Sequence, residues 1–158
     1  MIRSKTLTAA LIAMTLLFMA GCSGIYPYKS NLDSNLAVKT KTESGSLFTS
    51  IKARVDVYSV DKACKVTYLG SVDLKKPEVT IGLPANNPTY LNFIFSSSSF
   101  LANSKGSTGF DTYFKTRNGY EYIADASYID GIYDVILKEK KKGNNETQEL
   151  EYRECKPE

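Results

Sequence analysis

The chain has 158 residues, a formal net charge of +3, and neither histidine nor tryptophan. Without histidine it cannot build a Ser-His-Asp triad, a Cys-His dyad or a His-ligated zinc site. A net charge this close to zero lacks the basic field that attracts nucleic acid, so no nucleic-acid partner is expected. Glycine-rich phosphate-binding motifs are absent from the sequence, which argues against the common nucleotide-binding classes.

The first 21 residues have the parts of a secretory signal peptide. Arg3 and Lys5 form a short basic start, and residues 7–20 are apolar except for two threonines. This run is too short to cross a bilayer core comfortably, which takes about 20 apolar residues. We therefore expect residues 1–21 to be a signal peptide, with an uncleaved membrane helix as the alternative.

The apolar run ends at Met19-Ala20-Gly21-Cys22, which resembles the lipobox of bacterial lipoproteins, although leucine is commonest at the position of Met19. The resemblance implies cleavage before Cys22, two acyl chains on its thiol and often a third, such as palmitate, on its new amine. Two or more acyl chains hold a protein firmly on a membrane. Ser23, which stands where an aspartate would favour the inner membrane, implies the outer membrane, facing the periplasm. The alternative to a lipobox is an ordinary secretory signal with a chance cysteine near its cleavage site.

Two cysteines remain when Cys22 is assigned to lipid, namely Cys64 and Cys155. An even pair in an exported chain predicts one disulfide, because the compartment is oxidising. This bridge would hold residues 149–156 beside the strand that contains Cys64. Two separate thiols are the alternative.

Residues 22–34 are polar and contain Gly24 and Pro27, so we expect a flexible tether between the lipid and the folded part. Such a coil reaches on the order of 20 Å. The remainder, 35–158, has the length of one domain. No internal repeat divides it.

The domain alternates between apolar and polar residues with the period of β-strands. The clearest case is 47–60, where Ile51, Val55 and Val57 share one face. A strand at 90–95 is apolar enough to be buried on both faces. The remaining predicted strands are 36–42, 64–74, 79–83, 110–116, 120–126, 132–139 and 148–154.

Three turn sequences predict hairpins in the C-terminal half. Asn118-Gly119 is the strongest signal, because a type I′ turn needs positive φ at both central positions. Asp130-Gly131 is a second pair of this kind. The polar run 140–145 closes a third hairpin.

A long loop is expected at 96–108, which is rich in serine, glycine and lysine. Phe100 and Leu101 are the apolar pair within it. They would either plug the edge of the core or contact a partner.

Eight or nine short strands with frequent turns, and no convincing helix after the signal, indicate an all-β fold. We expect an antiparallel β-sandwich of the immunoglobulin-like or transthyretin-like kind. A small β-barrel is the alternative.

Five tyrosines are concentrated in the predicted C-terminal hairpins: Tyr113, Tyr120, Tyr122, Tyr128 and Tyr133. A tyrosine exposed on a sheet offers a large ring at low entropic cost and a polar hydroxyl. These residues, with Phe100 and Leu101, therefore form the candidate partner surface. The simpler interpretation is that tyrosine suits strands and fills the edges of a sandwich.

Carboxylates are the remaining candidates for chemistry. Glu121 and Asp125 share a strand face but lie roughly 13 Å apart, too far for a two-carboxylate glycosidase. Asp125, Asp130 and Asp134 flank one hairpin without the spacing of an EF-hand. A solvated surface explains these sets better, as it does the lysines of 138–142, whose alternative is attraction to anionic lipid headgroups. No metal, cofactor or catalytic residue is predicted.

These features predict a non-catalytic binding or structural module of the cell envelope, held on a membrane by lipid on Cys22. Its partner would be an envelope protein or a glycan. A carrier of a small ligand or lipid is the first alternative and would need an apolar cavity. A carboxylate-dependent enzyme is the second and would need a cleft with converging ionisable groups.

Overall fold

The computed structural model describes residues 25–101, 104–151 and 154–155, so the predicted signal peptide and Cys22 lie outside the described residues. Within these ranges there are nine strands and no helix that could span a membrane. The strands are β1 (Leu36–Glu43), β2 (Thr49–Val60), β3 (Val66–Asp73), β4 (Glu78–Ile81), β5 (Pro88–Ser99), β6 (Ser104–Lys115), β7 (Tyr120–Ile129), β8 (Ile132–Lys141) and β9 (Gln148–Glu149).

The strands form two open sheets packed face to face. The five-stranded sheet has the order β4-β1-β7-β8-β9, and the four-stranded sheet has the order β3-β2-β5-β6. Hydrogen-bonded neighbours are antiparallel except for β1 and β7, which run parallel. The predicted all-β sandwich is therefore confirmed.

Large apolar side chains from both sheets fill the space between them. The ring of Phe114 on β6 lies 5.2 Å from that of Tyr122 on β7, and Phe95 on β5 lies 5.8 Å from Tyr128. These two contacts mark opposite ends of the shared core. Residues at most 1% exposed between them include Val38, Val55, Val57, Leu91, Phe93, Ala124 and Leu137.

Cys64 and Cys155 form the disulfide that the cysteine count predicts, with their Cα atoms 5.8 Å apart. Cys64 lies in the turn between β2 and β3, and Cys155 follows β9. The bridge therefore ties the tail of the five-stranded sheet to a hairpin of the four-stranded sheet.

The segment before β1 is docked on the sandwich. Pro27 forms a bridge with Ser71 of β3, and the Tyr28 N–H donates to the Ser71 carbonyl at 2.8 Å. The Tyr28 hydroxyl donates to the Gly82 carbonyl, also at 2.8 Å. The prediction of a flexible tether over 22–34 is therefore wrong for the described part of that segment, because backbone groups at the sheet edges hold it.

The predicted loop at 96–108 is wrong, because β5 continues to Ser99 and β6 begins at Ser104. Phe95 packs on Tyr128, just before the β7–β8 turn, where the five-stranded sheet ends. Beyond this level both faces of β5 and β6 are open to water. Small polar residues suit such strands, and they remove the alternation by which a strand is recognised.

The ends of β2, β5 and β6 project beyond the shared core as a three-stranded extension. It comprises residues 47–52, 96–101 and 104–107, and we call it the finger. Four residues of β5 carry it about 13 Å past Phe95. Phe100 is 88% exposed and Leu101 is 69% exposed at its end, so the prediction that they plug the core is wrong.

Two of the three predicted hairpins form. Asp130 and Gly131 both have positive φ, 49° and 88°, and join β7 to β8. The third turn joins β8 to β9, although only two residues of β9 pair. The hairpin at Asn118-Gly119 is wrong, because β6 and β7 belong to different sheets and this turn carries the chain between them.

Candidate binding surface

Tyrosines from four neighbouring strands line up across the outer face of the four-stranded sheet. Tyr58 of β2 lies opposite Tyr68 of β3 and Tyr90 of β5, and Tyr90 in turn lies opposite Tyr113 of β6. Tyr26, from the docked N-terminal segment, extends the row past β3. We call these five residues the tyrosine face.

The row follows from strand alternation combined with register. Val57 and Leu91 are fully buried in the core, so the adjacent Tyr58 and Tyr90 point to the opposite side of the sheet. The pairings of β2 with β3, of β2 with β5 and of β5 with β6 then bring one tyrosine from each strand to the same level.

Four of the five rings of the tyrosine face contact one another in sequence. The centroids of Tyr26 and Tyr68 are 4.9 Å apart, those of Tyr68 and Tyr58 are 5.3 Å apart, and those of Tyr58 and Tyr90 are 5.2 Å apart. The rings meet edge to face or tilted, which is the favoured arrangement of aromatic pairs. Each of these four rings restricts the next, and Tyr113 of β6 continues the row by register, so that the row spans about 14 Å across the four strands.

A row of polar side chains runs beside the tyrosines. Ser71, Asp56, Asn92 and Asp111 lie opposite one another in that order across the four strands. Asp56 is 6% exposed, and its carboxylate accepts hydrogen bonds from Arg54 Nε at 3.1 Å and from the Ser71 hydroxyl. These contacts compensate a charge that would otherwise be costly to bury.

Two hydroxyls of the tyrosine face, those of Tyr58 and Tyr90, have raised pKa values. Burial, and then a hydrogen bond to the Asp111 carboxylate, raise the pKa of Tyr90 above its ordinary value. Burial, followed by the negative charge of Asp56, raises the pKa of Tyr58. At Tyr58 and Tyr90 a partner would therefore meet neutral rings, with the exposed carboxylate of Asp111 beside them.

The structure does not bring together the five tyrosines that were expected to form one surface. Tyr113 belongs to the tyrosine face, whereas Tyr122 is 1% exposed in the core. Tyr128 packs on the core, and the Arg117 guanidinium lies over the ring of Tyr120, 3.8 Å from its centroid. Tyr133 is 40% exposed beside the β7–β8 turn.

Two of the four carboxylates considered from the sequence, Glu121 and Asp125, are paired with lysines. Asp125 lies 2.8 Å from Lys138 Nζ, and Glu121 lies 3.0 Å from Lys140 Nζ. These pairs form a ladder on the outer face of the five-stranded sheet. Among the described residues, no three carboxylate or thiol groups gather closely enough to hold a metal ion.

Sequence reasoning missed the tyrosine face because it depends on pairing between distant strands. Its members on the sheet lie at 58, 68, 90 and 113, and nothing local shows that they share one level. A weak signal was present, since Tyr58 and Tyr90 each adjoin an apolar residue of a predicted strand.

Comparisons with protein-family models, with curated proteins and with solved structures find no match to this chain. Its function is therefore inferred from the chemistry of its own surfaces.

Proposed function

We propose that this protein is an exported, lipid-anchored module of the cell envelope that binds a partner without catalysis. Three features support the proposal: the lipobox-like sequence that ends at Cys22, a disulfide suited to an oxidising compartment, and a sandwich with a preorganised outer face. The outer membrane, facing the periplasm, is the proposed location, because Ser23 follows the cysteine.

The observation that carries the proposal is the row of contacting rings in the tyrosine face. Tyrosines already held by their neighbours lose little side-chain entropy on binding, and tyrosine is enriched where proteins meet. The flanking Asp111 adds a charged hydrogen-bond acceptor at the rim. We therefore propose an envelope protein as the partner, with a glycan as the second possibility.

The anchor and the tyrosine face would lie close together. Tyr26 contacts Tyr68, and only residues 23–25 separate Tyr26 from Cys22. Four extended residues span at most about 14 Å. A partner bound at this face would therefore sit near the bilayer surface.

The alternatives have weaker support. A carrier needs an apolar interior cavity, whereas the core between the sheets is filled by large side chains. A groove of about 560 Å³ lies at the sheet edges, but it is lined by mixed polar and apolar residues that include Lys115, Arg117 and Glu139. For an enzyme, the carboxylates Glu121 and Asp125 are engaged with lysines.

The anchor is tested by replacing the acylated residue. Cys22→Ala should abolish labelling by a palmitate analogue. The protein should then either leave the detergent-extracted membrane fraction for the soluble fraction or accumulate as an uncleaved precursor. Cys155→Ser is the matched control, because it removes a thiol that is not proposed to carry lipid. Unchanged labelling of Cys22→Ala would contradict the anchor.

The partner surface is tested by crosslinking in living cells. A photoreactive phenylalanine at position 113 should capture a specific envelope component, whereas the same group at Lys39, on the outer face of the other sheet, should not. Tyr113→Ala should weaken co-purification of that component, and Tyr133→Ala should leave it unchanged. Equal capture at both positions would contradict the tyrosine face as the binding surface.

A further inference from the structure

Four large apolar side chains gather at the end of the finger. Leu47 is 99% exposed, Phe48 is 54%, Phe100 is 88% and Leu101 is 69%. The Phe100 N–H donates to the Phe48 carbonyl at 3.1 Å, so the two turns that carry these residues lie side by side. We call these four residues the finger tip.

The finger tip is separated from the core by polar structure. Behind it, β5 contributes four consecutive serines, 96–99, and β6 begins with Ser104, Lys105 and Gly106. Within the part of the chain that the structure describes, no other segment covers the tip. Its shape is a convex end on a slender support, which suits insertion into an apolar phase and not the enclosure of a ligand.

The charged residues of the finger are both cations. Residues 47–52, 96–101 and 104–107 contain Lys52 and Lys105 and no aspartate or glutamate. Arg54 is paired with Asp56, whereas the exposed Lys52 and Lys105 make no ion pair among the described residues. The finger therefore presents two uncompensated cations.

These two lysines lie just behind the tip. Lys105 is opposite Ser98, two residues or about 7 Å from Phe100 along the strand, and Lys52 is opposite Ser96, about 13 Å away. Apolar residues at the boundary between acyl chains and headgroups are buried by about 5–10 Å. Cations at this distance would reach the level of the lipid phosphates.

We propose that the finger inserts its tip into the surface of an anionic lipid bilayer. The apolar side chains of the tip enter the acyl boundary, the serines lie among the headgroups, and Lys52 and Lys105 bind lipid phosphates. This contact is additional to the proposed acyl anchor and does not require it. A protein pocket would also cover the tip, but two exposed lysines without an ion pair in the described ranges, directly behind an apolar tip, favour an anionic membrane.

The test uses residues 23–158 without acylation, because both sheets are built within residues 36–149. The chain lacks tryptophan, so Phe100→Trp provides a single indole at the tip. Vesicles of phosphatidylcholine with phosphatidylglycerol should shift its emission to shorter wavelength, and brominated acyl chains should quench it. Val66→Trp, at the opposite end of β2 and β3 and 48% exposed before substitution, should show neither effect.

Two further variants separate apolar insertion from charge. Phe100→Ser with Leu101→Ser should lower binding to the anionic vesicles by about tenfold or more. Lys52→Gln with Lys105→Gln should lower it by roughly thirtyfold at low salt and flatten its salt dependence, with little change on phosphatidylcholine alone.

Three outcomes would overturn this inference. They are failure of the unvaried domain to bind anionic vesicles, full binding by the double-serine variant, and capture of a protein by a crosslinker at position 100 without any vesicle binding. The vesicle assay contains neither acyl anchor nor partner protein. Its failure would therefore leave the proposed anchored module intact, and loss of that proposal would leave the vesicle result intact.

Discussion

The buried Asp56 carboxylate forms an ion pair with Arg54 and accepts a hydrogen bond from Ser71, and these contacts hold the polar row beside the tyrosines. We expect Asp56→Ala to lower the free energy of unfolding by about 2–3 kcal/mol, because the half-buried Arg54 loses its ion-pair partner and the Ser71 hydroxyl loses its carboxylate acceptor. Urea denaturation measures the change.

Asp73→Ala is the matched control for Asp56. Its carboxylate is 61% exposed and lies 3.0 Å from Lys75 Nζ, and exposed pairs of this kind contribute at most about 1 kcal/mol. Equal losses in the free energy of unfolding for Asp56→Ala and Asp73→Ala would show that the burial of Asp56 does not increase its contribution to stability.

The raised tyrosine pKa values link stability to alkaline pH. Burial is the first cause that raises the pKa of Tyr58, Tyr90 and Tyr122. Below about pH 10 these hydroxyls are protonated in both the folded and the unfolded chain, and the stability that their raised pKa values contribute is fully present. Above that pH the unfolded chain loses their protons while the folded chain retains them, so the free energy of unfolding falls as pH rises.

Tyr90→Phe tests this pH dependence. Because phenylalanine cannot ionise, the variant should lose stability less steeply than the unvaried chain between about pH 9 and 11. Urea unfolding across this range gives both slopes. Slopes that coincide would mean that Tyr90 has the same pKa in the folded and unfolded states.

At the scale of elements, docking of the N-terminal segment depends on Gly70 in β3. Its φ is 134°, and a Cβ atom there would lie 2.6 Å from the Tyr28 Cα. We expect Gly70→Ala to strain β3 by about 1–3 kcal/mol and to release the segment. Hydrogen exchange at the Tyr28 amide, which donates to Ser71 in the native chain, reports the release.

Gly131→Ala is the control for this element. Gly131 also has positive φ, at 88°, but a Cβ atom there would meet nothing within 4 Å. The Gly131→Ala variant should therefore lower stability through backbone strain alone and leave the Tyr28 amide protected from hydrogen exchange. Loss of protection in both variants would indicate general destabilisation instead of local undocking.

The finger shows why one element could not be recognised from the sequence. A strand is found by alternation, and alternation requires one face in a core. The inward positions beyond Phe95 are Ser97 and Ser99, which face no second sheet, so the segment has the composition of a loop. In contrast, the strand predicted at 47–60 covers the whole of β2, because its alternation is set by Val55 and Val57, which are buried.

For the whole molecule, composition and alternation predicted the sandwich, but not which strands share a sheet. Asn118-Gly119 has the same local chemistry as Asp130-Gly131, yet only the second closes a hairpin within one sheet. Tyr122 explains part of the difference, because it follows the first turn and packs on Phe114 across the core. The tyrosine face was missed for the same reason, since it arises from pairing between strands.

The disulfide acts on the whole molecule, because it connects the two sheets through chain segments 91 residues apart. We expect Cys64→Ser with Cys155→Ser to lower the free energy of unfolding by about 2–5 kcal/mol, chiefly by freeing the unfolded chain. Urea denaturation should give the same value for this variant and for the reduced native chain. A loss below about 1 kcal/mol would mean either that the disulfide restricts the unfolded chain little or that it strains the tail in the folded chain. A larger loss in the reduced native chain than in the double-serine variant would instead indicate that free thiols at these positions disturb the fold.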